Sequence, residues 1–180
     1  MKAVLAPVAL ALLLGGCRNG YSDTAVSAGF CESITGGTSA LTVTCTGCTV
    51  GNQARAADGD LNSYATIDPL GGATAETASF RATAQSGVVY PVGSKPGVAV
   101  VQPAFSSTAN DVVTYMTGTE QERMSTSSSK QIESVNGKGY FTFTTTQQFD
   151  AVEFTTQNTW PTGQSPVYRV YELCHNGGAK

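Results

Sequence analysis

The chain has 180 residues, of which 41% are hydrophobic and 13% charged, and its formal net charge is −3. This length suits a single domain with a sizeable core, and few charges with many Thr, Val and Gly residues favour strands over helices. Because the few Lys and Arg residues are scattered and form no basic cluster, we expect no nucleic-acid partner.

The first sixteen residues have the pattern of a bacterial export signal. Lys2 precedes an apolar run from Ala3 to Leu14, and small residues follow that run. A membrane-spanning helix needs about 20 apolar residues, and this run is shorter. We therefore predict that residues 1–16 are a signal peptide and not a permanent span.

The residues that follow point to a lipid anchor. The sequence Leu14-Gly15-Gly16-Cys17 resembles the lipobox of bacterial lipoproteins, which implies that Cys17 is lipidated and becomes the first residue after cleavage. Arg18 in place of Asp resembles the sorting pattern for the outer membrane. Residues 17–38 are small and polar, so we predict a lipidated N terminus followed by a flexible tether. The expected location is thus the outer membrane, with its periplasmic and outer faces both open.

The other four cysteines are an even number in an exported chain, which predicts two disulfides with three possible connectivities. A bond from Cys174 to Cys31, or to the region of Cys45 and Cys48, would join the first and last strands of the domain. The alternative is a zinc site formed by Cys45, Cys48, Cys174 and His175. An oxidising compartment favours disulfides, as do the opposite directions of adjacent side chains on a strand.

Residues 39–175 are predicted to form one all-β domain, an antiparallel β-sandwich or jelly roll of about eight strands, followed by a tail at 176–180. Phe141 and Phe143 alternate with threonines, which indicates one buried face and one solvent face. The pair Asn136-Gly137 is typical of a hairpin turn. The predicted strands are 39–50, 77–84, 97–102, 111–117, 123–128, 140–146, 149–155 and 167–174.

An acidic loop, Asp58-Gly59-Asp60-Leu61-Asn62-Ser63, offers oxygen side chains at alternating positions that a hard cation such as calcium could use. It is not an EF-hand, because Ser63 occupies the sixth position, where Gly is needed, and Pro69 the twelfth, where Glu belongs. The same residue types also form an ordinary turn that caps itself. Both a cation site and a simple turn therefore remain open.

Three short segments carry a family resemblance. Residues 57–66, ADGDLNSYAT, resemble the A-x-D-G-D-x-x-T segment of galactose-binding-like β-sandwich domains, the discoidin or coagulation factor type C class, which includes many carbohydrate-binding modules. Residues 149–154 and 167–174 are similar to the last two strands of that class. The segment CTGCTV before the acidic loop is similar to a bacterial surface-protein branch of the class.

The resemblance implies a structural calcium ion. Its ligands would be side-chain oxygens of Asp58 and Ser63, the backbone carbonyl of Asp60 and the carboxylate of Glu172. The chain departs from the class in having Ser63 and Tyr64, where the class usually has Thr and then an aromatic residue, often Trp. Serine can supply the same oxygen as threonine.

The resemblance also implies ligand binding on loops at one end of the sandwich. Trp160, between the last two predicted strands, is the main candidate for a sugar-stacking platform, and Tyr64, Tyr90 and Arg123 are further candidates. The alternative is that Trp160 covers the edge of the core.

Catalysis is not expected. No G-x-S-x-G motif is present, His175 is the only histidine, and the carboxylates that could form a glycosidase pair are more simply solvated charges: Asp111, Glu120, Glu122 and Glu133. We predict a cell-envelope lipoprotein presenting a non-catalytic binding module for carbohydrate or another envelope component. The alternative is a structural or assembly lipoprotein that docks a protein partner and binds no small molecule.

Overall fold

The fold is an antiparallel β-sandwich, as the sequence predicts. In a computed structural model of the chain, the described residues are 31–34, 36, 40–70, 75–102, 107–127, 133–135, 138–159 and 167–176. They contain twelve strands: β1 (Glu32–Ser33), β2 (Leu41–Thr46), β3 (Cys48–Gly51), β4 (Ala65–Pro69), β5 (Ala75–Thr83), β6 (Lys95–Val101), β7 (Ser107–Met116), β8 (Thr119–Ser127), β9 (Glu133–Val135), β10 (Lys138–Thr142), β11 (Ala151–Thr159) and β12 (Tyr168–Asn176). One 3-10 helix, Gln53–Ala57, lies between β3 and β4.

The strands form two sheets. The seven-stranded sheet has the order β3-β4-β12-β6-β10-β9, and β1 pairs with β12 beside this path. The five-stranded sheet has the order β2-β5-β11-β7-β8. The first and last described strands are therefore neighbours. Within the described part of the chain, no helix has the length and apolar character needed to cross a membrane.

The structure differs from the predicted strands where the chain turns tightly. The predicted strand 39–50 is two strands, because Gly47 has a φ of +74° and separates β2 from β3. A Cβ on Gly47 would lie 2.6 Å from the Ala75 carbonyl oxygen, so glycine fits this turn best. Thr117 and Gly118 also have positive φ values, and this two-residue turn lets β8 begin at Thr119, earlier than predicted.

Period-two alternation places the core between the sheets. On β5, the inward side chains from Glu76 to Ala82 are buried and alternate with partly exposed ones. Phe154 of the five-stranded sheet packs on the opposite sheet, with ring centroids 6.5 Å from Phe141 and 6.1 Å from Tyr168. The hairpin predicted at Asn136-Gly137 has paired flanking strands, β9 and β10, while the turn itself lies outside the described residues.

The two ends of the sandwich are defined by where the strands begin and end. At one end, called the pocket end, β5 begins at Ala75, β11 ends at Thr159 and β12 begins at Tyr168. At the opposite end, β11 begins at Ala151 and β12 reaches His175. Between the sheets at the pocket end, buried polar side chains are bonded to one another.

Candidate functional site

The four cysteines of the domain form two disulfides. Cys31 is bonded to Cys174 and ties β1 to β12, while Cys45 is bonded to Cys48 around the Gly47 turn. The first bond is one of the long-range links that the sequence allowed; the second is local and does not reach Cys174. The alternative zinc site is wrong, because its cysteines are in disulfides and the His175 ring packs 4.3 Å from the Tyr90 ring.

The acidic loop is held together by its own side chains. Asp58 Oδ1 accepts a hydrogen bond from the Asp60 N–H at 2.9 Å, and Asp58 Oδ2 accepts one from the Ser63 hydroxyl at 2.6 Å. The Ser63 N–H donates to the Asp60 carbonyl at 3.0 Å. These bonds fix the oxygen-bearing groups on one short turn.

Glu172 projects from β12 towards this loop and is almost fully buried, with 1% of its surface exposed. Its Oε2 accepts a hydrogen bond from the Gly59 N–H at 2.9 Å, and its Oε1 is buried without a hydrogen-bond partner among the described residues. Burial raises the pKa of Glu172 to about 7, against the opposing hydrogen bonds from Ser33 and Gly59. A buried carboxylate with one unsatisfied oxygen is costly unless a proton or a cation accompanies it.

These residues fit a calcium ion in the chemistry of their donors. The described residues contain no group of three or more His, Cys, Asp or Glu side chains placed to hold a metal. A cation here would therefore use the carboxylates of Asp58 and Glu172 with the Ser63 hydroxyl and the Asp60 carbonyl. An all-oxygen donor set favours calcium over zinc.

The structure contradicts the predicted ligand-binding role of Tyr90 and shows which side chains bind Arg123. Tyr90 is fully buried and its ring lies 4.9 Å from that of Phe149, so the prediction of a ligand platform at Tyr90 is wrong. Arg123 is exposed on β8, but its guanidinium donates to both oxygens of Glu120 and to Asp111. Its donors are thus already occupied by carboxylates. Trp160 and Cys17 lie outside the described residues.

Tyr64 lies on the outer face of the seven-stranded sheet and is partly exposed. Its ring centroid is 5.3 Å from that of Tyr171, and the Arg169 guanidinium lies over it at 4.9 Å. This ring belongs to a second, smaller hydrophobic cluster, which also contains the Cys31–Cys174 disulfide. Tyr64 is therefore a surface residue of the sheet and not a residue of the pocket end.

A pocket of about 240 Å³ opens at the pocket end, across the ends of β5, β11 and β7. Its polar lining is formed by Glu76, Thr77, Gln157, Asn158 and Thr159. Glu76 and Asn158 are only 3% and 2% exposed, and the Asn158 Nδ2 donates to Glu76 Oε1 at 2.7 Å. Both side chains have the inward strand parity and are covered by the protein, so the polar side chains that face the pocket are Thr77, Gln157 and Thr159, on the outer face of the sheet.

Polar side chains also lie inside the sandwich, beneath the face of the sheet that carries this pocket. The Thr156 hydroxyl donates to Asn158 Oδ1 at 3.2 Å, and the Tyr168 hydroxyl donates to Asn110 Oδ1 at 3.2 Å. Asn110 is fully buried, and its Nδ2 has no hydrogen-bond partner among the described residues. Burial also raises the pKa of the Tyr168 hydroxyl well above its ordinary value. The interior at this end is therefore a hydrogen-bonding network and not a continuation of the apolar core.

Glu76 and Asn158 are not among the residues singled out from the sequence, although their positions along the strands indicate that they are buried. Glu76 has the same strand parity as Ala78 and Phe80, and Asn158 has the same parity as Phe154. Residues two apart on a strand point to the same face, so both polar side chains had to point inward.

A larger depression of about 490 Å³ lies beside the 3-10 helix. Its polar side chains are exposed, namely Asn52, Gln53 and Arg55. Its lining residues come from one segment of chain, 50–55, whereas those of the smaller pocket are held in register on three neighbouring strands. Since binding pockets combine concavity with a few fixed polar groups, the smaller pocket is the stronger candidate site.

No family model and no curated protein matches the chain. Among solved structures, the enzymatically active domain of bacteriophage CBA120 tailspike protein 4 is similar at 14% identity and a TM-score of 0.48, over 81% of this chain and 21% of that one. The chain therefore spans about a fifth of that structure's length.

Two smaller structures cover the chain more evenly. CBM32-3 from a Clostridium perfringens family 31 glycoside hydrolase is 15% identical, with a TM-score of 0.48 over 79% of this chain and 94% of that one. Chitosan-binding module 1 of a Paenibacillus sp. IK-5 chitosanase/glucanase is 16% identical, with a TM-score of 0.41 over 77% and 96%. Because these TM-scores lie below 0.5, a function for this chain has to be argued from its own residues.

Proposed function

We propose that the chain is a non-catalytic carbohydrate-binding module whose ligand lies in the pocket at the pocket end. The observation that carries this proposal is the set of polar side chains that neighbouring strands fix around that pocket, namely Thr77, Gln157 and Thr159. A hydroxyl and a carboxamide can each donate and accept hydrogen bonds, as sugar hydroxyls do. Neighbouring groups of this kind match neighbouring hydroxyls on a sugar ring.

The surroundings of the pocket support a small polyol ligand. Beside these polar groups, the exposed small side chains of Ala75 and Ala109 leave room for a sugar ring. The volume, about 240 Å³, suits one or two sugar rings better than a folded protein surface. Trp160 follows Thr159 in the sequence, and we include it in the proposal as the aromatic platform.

A glycan array followed by calorimetry on the full chain tests this function. Because Gln157→Ala removes a carboxamide that faces the pocket, we expect it to weaken glycan binding about tenfold. The matched control is Glu153→Gln, on the outer face of β11, where the carboxylate accepts a bond from Ser79 and does not line the pocket. The control should bind like the parent protein.

The proposal fails if the parent chain binds no glycan, or if Gln157→Ala and Glu153→Gln bind equally well while both remain folded by thermal unfolding. Trp160→Ala, measured with the same glycan, tests the aromatic platform separately. Unchanged affinity in that variant would remove Trp160 from the site and assign it to covering the core edge.

We also propose that calcium stabilises the acidic loop through Asp58, Asp60, Ser63 and Glu172. The support is the buried Glu172 carboxylate with its unsatisfied Oε1, beside a loop whose oxygens are already fixed in place. A bound divalent cation would supply the positive charge that the buried carboxylate lacks. Its role would be structural, because the loop lies on the β12 side of the sandwich and does not line the pocket.

The proposed location is the outer membrane, through a lipid on Cys17. The support is the leader sequence with its lipobox-like end, followed by a small polar segment that leads to β1. The protein would then present its sandwich at the membrane surface.

An assembly lipoprotein that docks a protein partner is the competing function. Such a protein needs a continuous exposed apolar patch. The large exposed hydrophobic side chains among the described residues are split between the two ends, with Leu70 and Val167 at the pocket end and Val92 at the opposite end. Their separation favours the carbohydrate-binding module.

A further inference from the structure

The outer face of the seven-stranded sheet carries a row of two cations that the pocket does not use. Arg169 on β12 pairs with Val101 on β6. On the other side of β6, Val100 pairs with Gly139 of β10, so extending this antiparallel register by one residue places Val101 beside Lys138. Arg169, Val101 and Lys138 are therefore consecutive in one row across three strands, called here the cation row. Adjacent strands are about 4.8 Å apart, so the backbones of the two cationic residues are about 10 Å apart.

Two tyrosines hold the cations in place. The Arg169 guanidinium lies 4.9 Å from the centroid of the Tyr64 ring, and Lys138 Nζ lies 4.7 Å from that of Tyr171. The two rings are themselves in contact, with centroids 5.3 Å apart. Cation–π contacts of this length orient a cation without neutralising its charge.

The cations of the row have no anionic partner within the part of the chain that the structure describes. Neither Arg169 nor Lys138 forms an ion pair with any side chain that the structure describes. Arg123, on the other sheet, shows the contrast, because it is paired with both Asp111 and Glu120. The chain has a net charge of −3, so two unpaired cations in one row make this part of the surface more positive than the molecule as a whole.

We propose that the cation row binds an acidic polysaccharide by pairing Arg169 and Lys138 with two carboxylates of the same glycan chain. The spacing of the row is close to the length of a disaccharide, so carboxylates on alternate sugars can reach both cations. Val101, partly exposed between the two cations, offers an apolar contact to the intervening sugar face. This surface is separate from the pocket and does not depend on a ligand there.

The same row is less suited to a lipid surface. Peripheral proteins insert exposed aromatic side chains into the membrane interface. Here Tyr171 is 8% exposed, and the partly exposed Tyr64 ring is in contact with the Arg169 guanidinium, so neither ring projects freely into solvent. The charged ends of the row match a hydrated polyanion.

The test compares oligogalacturonate with the same oligosaccharide after methyl esterification, by calorimetry on the full chain. Methyl esters remove the charge and keep the sugar backbone, so we expect binding only to the acid form. Arg169→Gln and Lys138→Gln should each weaken that binding about tenfold, and added salt should weaken it further. The control is Lys95→Gln, an exposed cation outside the row, which should bind like the parent chain.

Equal binding of the acid and ester forms, or an unchanged affinity in both Gln variants, would overturn the inference. Binding to phosphatidylglycerol vesicles that requires Arg169 and Lys138, with no binding to oligogalacturonate, would also overturn it. The pocket is tested separately with Gln157→Ala, which should leave oligogalacturonate binding unchanged. A loss of acid-glycan binding in Gln157→Ala would place that ligand in the pocket and contradict the cation row.

Discussion

Glu172 carries an energetic cost that depends on pH when no metal is bound. Burial raises the pKa of its carboxyl group from the ordinary 4.5 to about 7. Between these values the folded protein keeps a proton that the unfolded chain has released. Folded stability therefore falls as pH rises through this window, and the loss is complete above the folded pKa. Calcium would offset the loss by pairing with the ionised carboxylate.

In EDTA, the free energy of unfolding of the parent chain should fall by on the order of 3 kcal/mol between pH 4 and pH 8 through this group. Glu172→Gln cannot ionise, so its stability should change less over the same range. Denaturant unfolding at each pH measures the difference, with Glu153→Gln as the control that keeps the parent profile.

Adding calcium at pH 8 should restore the stability of the parent chain and leave Glu172→Gln unchanged. If the parent melts at the same temperature in calcium and in EDTA, the proposed cation site is wrong. The pH profile alone would still test the buried carboxylate.

At the scale of elements, the two disulfides act over very different lengths of chain. Cys31 and Cys174 are 143 residues apart, whereas Cys45 and Cys48 are three residues apart. A cross-link restricts the unfolded chain more when it closes a longer loop. The long-range bond also holds the two-residue strand β1, which has only β12 as its partner among the described strands.

Replacing both Cys31 and Cys174 by Ala should lower the free energy of unfolding by about 5 kcal/mol, while replacing Cys45 and Cys48 should lower it by about 2 kcal/mol. The ratio follows from loop length, and each double variant serves as the control for the other. Equal losses in denaturant unfolding would show that local packing, and not chain entropy, sets the contribution of these bonds.

The alternation of apolar and polar residues along the strands made the sandwich predictable. The shortest elements have too few residues to show this pattern. Leu41 and Val43 alternate with exposed threonines on β2, as their sequence indicates. In contrast, β1 has two residues and β4 ends in Pro69, so neither offers a long enough pattern to recognise. Tyr90 was misassigned because its segment has no strand pattern, while one bridge to Phe149 buries it.

At the scale of the whole molecule, the features that could be predicted are those that depend on residues close together in the sequence. The acidic loop could be recognised from its own residues, and its partner Glu172 only from the family resemblance. Disulfide connectivity and the cation row depend on which strands become neighbours, and no short segment specifies that. The row forms because β12, β6 and β10 are adjacent in the sheet although they are far apart in the chain.

The proposed lipid anchor makes a prediction for the whole protein. Cys17→Ser would remove the proposed acylation site, so the variant should move from the membrane fraction to the soluble fraction of the envelope. Mass spectrometry of the parent should find an acylated peptide beginning at Cys17. An unmodified peptide at that position would contradict the anchor, and the variant's fold can be checked through its unfolding transition.

The place where the chain joins the sandwich sets which end of the domain would be nearest to a membrane anchor along the chain. Cys31 and β1 meet β12 at the end opposite the pocket, beside Cys174 and His175. A tether from Cys17 can reach at most roughly 50 Å before it meets that end. The attachment would therefore leave the pocket end and the cation row free of the tether, and a flexible tether would let both reach long polymers in the surrounding medium.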